Sequence, residues 1–372
     1  MQFKEIIGQK AIREKLIRSV SENRIAHAQL FLGPEGSGAL PLAIAYAQYI
    51  NCNNRTADDS CGVCPSCSKF QKLIHPDLHF VFPVVKLEKK GVSDDFIETW
   101  RSSLLQSPYL TYNGWLEAMG SENKQGGIFE KESDEIIRKL SLKTYEADYK
   151  VMIIWQADRM NTVTSNKLLK MLEEPPQKTI FLLISENTGQ ILPTILSRTQ
   201  LIKIPKILDE DMKSYLKSNY TYSDTQLTDF VHLADGNIVK ALNVMQNDEE
   251  NAFNFDRFVS LMRLSYTRDV ISLIQWAESM TGTGRERQKN FFSYALRLVR
   301  ENFILNCKTP DLALLTQRES EFSSKFFPYI NQNNVYDITA ELNKAQYHIE
   351  ANGSDRIIFL DLALKMVKLI KK

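Results

Sequence analysis

Gly33-Pro34-Glu35-Gly36-Ser37-Gly38-Ala39-Leu40 follows the apolar run His27 to Leu32 and leads into the helical pattern of Leu42 to Ile50. Strand, Gly-rich turn and helix in that order are the setting of a phosphate loop. Such a loop has the form G-x-x-x-x-G-K-[ST]: backbone N–H groups cradle phosphates, the Lys reaches the β and γ phosphates, and the hydroxyl holds Mg2+. Here the glycines Gly33, Gly36 and Gly38 are kept, but Ala39 stands where the ammonium belongs and Leu40 where the hydroxyl belongs. No tight ATP or Mg2+ binding is therefore expected. Taken alone, the segment also fits a Gly-rich turn with no such ancestry, and the rest of the chain has to decide.

Outward from the loop, residues 9 to 22 read as an amphipathic helix. Residues 80 to 130 are less regular: Lys86 to Lys90 is charged, aromatics are scattered through 96 to 115, and Gly120 to Gly127 is Gly-rich, which reads as an insertion of unknown role. Helical character resumes at Asp134. It is followed by a strand at Val151 to Trp155, a helix from Val163 to Glu174 stopped by Pro175 and Pro176, and a strand at Thr179 to Ser185. Strands alternating with helices imply an α/β domain with a parallel sheet. After Pro205 the β signal disappears, leaving helices with breaks near Tyr220, Gly236 and Gly282 to Gly284 and no internal repeat.

A chain of 372 residues suggests two or three domains at about 150 residues each. With 46 Lys+Arg against 45 Asp+Glu, the net charge of +1 excludes nucleic-acid binding through bulk charge, so any DNA contact is a local patch. Apolar runs such as Val151 to Trp155 and Ile180 to Ile184 have the length of buried strands, and none approaches a membrane span. Lys4 and Glu5 fall where a secretory leader would begin its apolar core, so a cytoplasmic location is expected. Of five cysteines, four form the pattern C-x8-C-x2-C-x2-C through Cys52, Cys61, Cys64 and Cys67. Two-residue gaps let neighbouring thiolates turn toward one tetrahedral ion, and Zn2+ fits a four-sulfur structural site. A disulfide pair is the competing reading, disfavoured by a reducing cytoplasm. His75 and His79 read as ordinary loop residues, since four sulfurs fill the shell, and Cys307 reads as a core thiol.

The run Val151-Met152-Ile153-Ile154-Trp155-Gln156-Ala157-Asp158-Arg159-Met160-Asn161 is followed by Asn166-Lys167-Leu168-Leu169-Lys170-Met171-Leu172-Glu173-Glu174-Pro175-Pro176. Phe181-Leu182-Leu183-Ile184 and Ile191-Leu192-Pro193-Thr194-Ile195-Leu196-Ser197-Arg198-Thr199 come next. Together with Ile7-Gly8-Gln9, His27-Ala28 and Leu30 to Pro34, these stretches resemble the bacterial clamp-loader family of AAA+ proteins over about residues 1 to 250. The resemblance implies an AAA+ α/β domain over 1–205, with a zinc module at 52–67 and the insertion at about 80–130. It also implies a helical lid over 206–250 and a helical collar over 251–372. In the family's active ATPase members, the positions of Trp155 and Gln156 hold an Asp for Mg2+ and a Glu that orients water, and a Gly-x-x-Arg sensor stands where this chain has Gly236-Asn237-Ile238-Val239. Trp is donor-only and Gln uncharged, so neither can do that work. Ser197-Arg198 matches the family's Ser-Arg-Cys motif, with Thr199 for the Cys. The resemblance gives Arg198 the role of an arginine finger reaching a neighbouring subunit's ATP, a task suited to a planar, permanently charged fork.

The expected protein is thus a catalytically silent subunit of a DNA polymerase holoenzyme, partnered in a hetero-pentamer by clamp-loader ATPase subunits and the delta subunit. Through that complex it would act on the sliding clamp and primed DNA, with no membrane partner. An active AAA+ ATPase with divergent motifs is the alternative. A zinc-ribbon nucleic-acid binder is weaker, because Cys52 to Cys67 contains only Arg55 as a base and no aromatic residue. Without the resemblance Arg198 reads as a surface ion pair at a strand entrance. Asp158 and the pair Glu173-Glu174 read as solvated carboxylates more readily than as catalytic acids and bases.

Overall fold

The computed structural model describes residues 1–86, 91–122 and 124–371. Two compact units are formed, one from Met1–Thr221 with Gly236–Val239, the other from Tyr222–Asp235 with the chain from Lys240 onward.

The first unit is built on β1 (Ala28–Leu32), β2 (Leu78–Val81), β3 (Lys150–Trp155), β4 (Thr179–Ser185) and β5 (Gln200–Lys203), in the order β2-β3-β4-β1-β5 with every pairing parallel. Lys150 lies opposite Thr179, and Ala28 opposite Phe181. β3 and β4 are buried throughout, because both sheet faces are covered and each strand must be apolar on both sides. Val151, Ile153 and Trp155 face one core while Met152 and Ile154 face the other, the two-residue period of a strand.

Around the sheet run α1 (Lys10–Ser21), α2 (Ala39–Ile50), α3 (Pro65–Gln71), α4 (Ile97–Gln106), α5 (Tyr112–Ala118), α6 (Glu130–Ser141), α7 (Thr162–Glu173), α8 (Pro193–Leu196) and α9 (Asp209–Asn219). Every residue of α2 is buried, and its many alanines allow close packing on all sides. α7 starts at Asn161, whose side chain accepts from the Thr164 N–H, and it ends before Pro175 and Pro176. Among the described residues no strand follows Lys203.

The second unit is helical: α10 (Asp224–Ala234), most of α11 (Ile238–Gln246), α12 (Asp248–Thr267), α13 (Val270–Met280), α14 (Arg285–Asn306), α15 (Gln317–Phe326), α16 (Val335–Glu350) and α17 (Asp355–Leu369). Its core gathers Phe258, Leu273, Trp276, Phe291, Phe292 and Phe359, with Phe292 and Phe359 stacked at 5.2 Å. No described helix is long and apolar enough to cross a membrane.

Three sequence readings are corrected. The segment 80–130 is not irregular: β2 ends within it, and α4 and α5 carry the fully buried Trp100 and Trp115 into the core against α2. The last four residues of the charged Lys86 to Lys90 stretch lie outside the described residues, as does Asn123 in the Gly-rich stretch. His79 stands on β2, not in a loop. Cys307 caps the C-terminus of α14 and is exposed, not a core thiol.

Candidate functional site

The C-terminal edge of the parallel sheet gathers the loops after β1, β3 and β4, the usual place for a ligand in such folds. Gly36 and Gly38 adopt φ 73° and 91°, which favour glycine, and Gly38 directly precedes α2. A side chain at Gly36 would overlap Asn237, while a Cβ at Gly38 would lie 3.1 Å from Cε1 of Tyr109. The Tyr109 hydroxyl accepts a hydrogen bond from the Ile7 N–H at 2.8 Å, and burial raises its phenol pKa. Between Pro34, Gly36, Leu40, Tyr109, Trp155 and Ile184 a space of about 30 Å³ remains. That admits a water or two, whereas ligand pockets of drug size start near about 300 Å³.

Trp155 ends β3 and turns into the core, 3% exposed, its ring 5.2 Å from that of Trp100. Trp100 in turn stacks on Phe82 at 4.2 Å and meets Trp115 edge-on at 5.1 Å. Gln156 follows in the left-handed region at φ 55° and donates from Nε2 to Glu186 Oε1 at 2.7 Å. Burial, then Glu35 and Asp158 nearby, hold the Glu186 carboxyl above its ordinary range, against the bond from Gln156 and the charge of Arg159. Carboxylates beside a loop without its lysine repel phosphate. Asp158 accepts from the Ser185 hydroxyl at 2.7 Å. Val239 lies in the first turn of α11 and brings no charge.

The four predicted metal ligands come together: one sulfur from each of Cys52, Cys61, Cys64 and Cys67, all within 4.8 Å of one another. The Cys61 and Cys67 sulfurs are 3.9 Å apart, close to the edge of about 3.8 Å that a tetrahedron with Zn–S of about 2.3 Å requires. The backbone N–H groups of Cys61, Cys64 and Cys67 donate to the sulfurs of Cys52, Cys61 and Cys64 at 3.2, 3.3 and 3.4 Å, favouring thiolate. N–H groups of Val63 and Cys64 lower the Cys61 pKa to about 6, whereas burial raises Cys52 and Cys67. This donor set can hold a metal ion. His75 is buried and engaged away from the sulfurs: Nδ1 accepts from the Asp77 N–H, and Nε2 lies 3.3 Å from Glu146 without a hydrogen bond.

Ser197 and Arg198 follow α8 at the turn into β5. Arg198 lies against Glu173, Nη2 to Oε1 at 2.5 Å, and donates from Nη1 to the Thr194 carbonyl at 2.9 Å. Both partners of the ion pair keep substantial exposure, 35% and 48% of their side-chain surface. Glu174, next to Glu173, is exposed at the end of α7.

The profile described as DNA polymerase III, delta subunit, matches residues 8–208 of the 372. The chain belongs to that family of clamp-loader proteins. It is 26% identical over 250 residues to the DNA polymerase III subunit gamma of Buchnera aphidicola subsp. Acyrthosiphon pisum, covering 66% of this chain and 58% of that protein. It is likewise 26% identical over 241 residues to the DNA polymerase III subunit delta' of Bacillus subtilis, covering 65% of this chain and 60% of that protein. The chain thus spans less than two thirds of the length of these curated relatives. A gamma-subunit-related protein of Thermotoga maritima is similar in structure over 96% of this chain and 99% of that one, at 11% identity and a TM-score of 0.40.

Tyr109 and Asn237 were not singled out in the sequence. Their contacts with Gly38 and Gly36 bridge long stretches of chain, and no local pattern marks them.

Proposed function

We propose that this clamp-loader family member is an ATPase-silent, delta-prime type subunit that helps place a sliding clamp on primed DNA. Its first 205 residues serve as the AAA+ domain, 206–250 as lid and 251–372 as collar. It works in the bacterial cytoplasm, in a hetero-pentamer with ATPase subunits and the delta subunit. The observation that carries the silence is the site beside the phosphate loop. Ala39, Leu40, Trp155 and Val239 leave it without lysine, metal hydroxyl, metal carboxylate or sensor arginine, and about 30 Å³ of space stays open. None of these four positions offers a ligand for Mg2+ or a charge to polarise a phosphoryl oxygen, the work that phosphoryl transfer asks of a site.

Arg198 is the chain's contribution to catalysis, in trans. Its fork carries a permanent charge, stands at an exposed turn, and is held by an ion pair weak enough to exchange for a neighbour's phosphate oxygens. The four cysteines hold Zn2+, which supplies a structural cross-link for the module between α2 and α3. With no vacant position for water, the ion takes no part in the reaction.

The purified full-length chain should turn over MgATP no faster than a buffer blank, and Ala39→Lys with Leu40→Thr should not rescue it. Measurable hydrolysis by the wild-type chain, abolished by a substitution in the 33–40 loop, would establish instead an active ATPase with divergent motifs.

A further inference from the structure

The segment between α4 and α5, Ser107 to Thr111, crosses the phosphate loop. We propose that Tyr109 is the resident occupant of the nucleotide position: its ring closes the space over Gly38 and its hydroxyl takes the backbone donor of Ile7. The inference rests on the silent reading and names what shuts that site. A helix N-terminus behind a Gly-rich turn presents N–H groups and a partial positive charge to any anion that can approach. Loss of Lys and Ser/Thr weakens such a site, but it does not by itself fill it.

What fills it is local. The Tyr109 ring is so close to Gly38 that a single added carbon there would sit 3.1 Å from its edge. Pro108 and Leu110, its neighbours, line the same residual space. The hydroxyl accepts from Ile7 N at 2.8 Å, tying the N-terminal segment to the residue that covers the loop. That segment is tied down further by Gln9, whose Nε2 donates to the carbonyls of Ser37, inside the loop, and Pro205. Asn237, packed on Gly36, and the Ile238 N–H, 3.4 Å from the Gly36 carbonyl, close the other side. The loop is therefore held in shape by the chain's own groups, and its conformation does not depend on bound nucleotide.

The test uses the full-length chain, with zinc, in four forms: wild type, Ala39→Lys with Leu40→Thr, Tyr109→Ala, and all three substitutions together. The probe is N-methylanthraniloyl-ADP, with and without Mg2+, followed by fluorescence anisotropy. The wild type and the double variant should show no saturable binding, and the triple variant should bind at least tenfold more tightly than the double. Binding by the double variant equal to that of the triple would overturn the proposal, as would a folded triple variant that fails to bind. If Tyr109→Ala does not fold, Tyr109→Phe keeps the ring and removes only the hydroxyl. The Ile7 amide should then exchange with deuterium at least tenfold faster than in the wild type. Equal exchange would overturn the seating of Tyr109. Hydrolysis of MgATP by the wild type would instead sink the silent reading, so the two failures are separately visible.

Discussion

Replacing Arg198 by Ala separates a scaffold from a subunit that completes a neighbour's active site. Within the chain, Arg198 makes one exposed ion pair with Glu173 and hydrogen bonds to the Thr194 carbonyl and the Ser197 hydroxyl, all at the surface. Exposed pairs are worth about 0 to 1 kcal/mol. At about 2–4 °C per kcal/mol for a unit of this size, the melting temperature should fall by no more than about 4 °C. A trans-acting arginine finger, in contrast, is worth about 10³ to 10⁵ in turnover at the site it serves, or at least about 4 kcal/mol of transition-state stabilisation. Folding and catalysis therefore predict effects of different size in different assays. Reconstituted complex containing Arg198→Ala should assemble normally and lose the turnover of one ATP site, so that bulk DNA-dependent ATPase falls in part. Clamp loading should fall further if the sites fire in turn. Arg198→Lys should not restore it, because a point charge lacks the planar fork. Glu173→Gln should leave loading intact, since it removes only the resting partner. Wild-type rates of ATPase and loading with Arg198→Ala would refute the finger and leave the arginine a surface ion pair.

One zinc per chain should be found by elemental analysis, and Cys64→Ser should release it and lower the melting temperature of the first unit, Cys64 being also the N-cap of α3; a folded, metal-free wild type would contradict this. Glu132 is 1% exposed, and burial raises its carboxyl to about 7, opposed by the Ser93 N–H and Lys139. A raised carboxyl pKa means the folded state holds its proton more tightly. The stabilisation is fully present below the unfolded pKa near 4.5 and is lost as pH rises to about 7, by up to about 3 kcal/mol. Glu132→Gln should therefore match the wild type in chemical denaturation near pH 4.5 and exceed it at pH 8; a constant difference across that window would reject the assignment. Trp155→Asp should destabilise the chain by about 3–5 kcal/mol or more, from the lost ring and a carboxylate among aromatics, without restoring ATP turnover. A stable variant in a denaturant melt would show that Trp155 is not part of the core.

Periodicity carried the sheet where strands are long and buried on both faces. Thr179–Ser185 was legible to the residue, and the four cysteines were legible because their spacing alone encodes proximity. β2 and β5 were not, for a physical reason. Each has four residues, and β5 has exposed residues at three of them, so neither gives a continuous apolar run. The aromatics of 96–115 looked scattered because Trp100 and Trp115 lie on two successive helices, while the contacts that unite them, with each other and with Phe82, form only in the folded chain. Cys307 misled because it stands in a helical region, but α14 ends at Asn306 and leaves its C-cap in solvent. At the phosphate loop the missing Lys and hydroxyl could be read directly, but Tyr109 could not.

The lost groups of the site are not independent vacancies. Trp155 fills the end of β3 with a ring that rests on Trp100, and Trp100 lies in α4, the helix whose end delivers Tyr109 onto Gly38. A residue that would bind a metal at position 155 would thus loosen the helix that positions the plug, and removing the plug would expose one side of the aromatic cluster. Trp155 and Tyr109 line the same space, so the effects of substitutions there on stability should depart from additivity, by about 0.5–3 kcal/mol for contacting networks. Ala39 lines the same space and belongs to the same core, so Ala39→Lys should depart from additivity with either as well. The silence proposed for this site would then rest on packing as much as on missing ligands, which is why restoring the loop's two signature residues is not expected to reopen it.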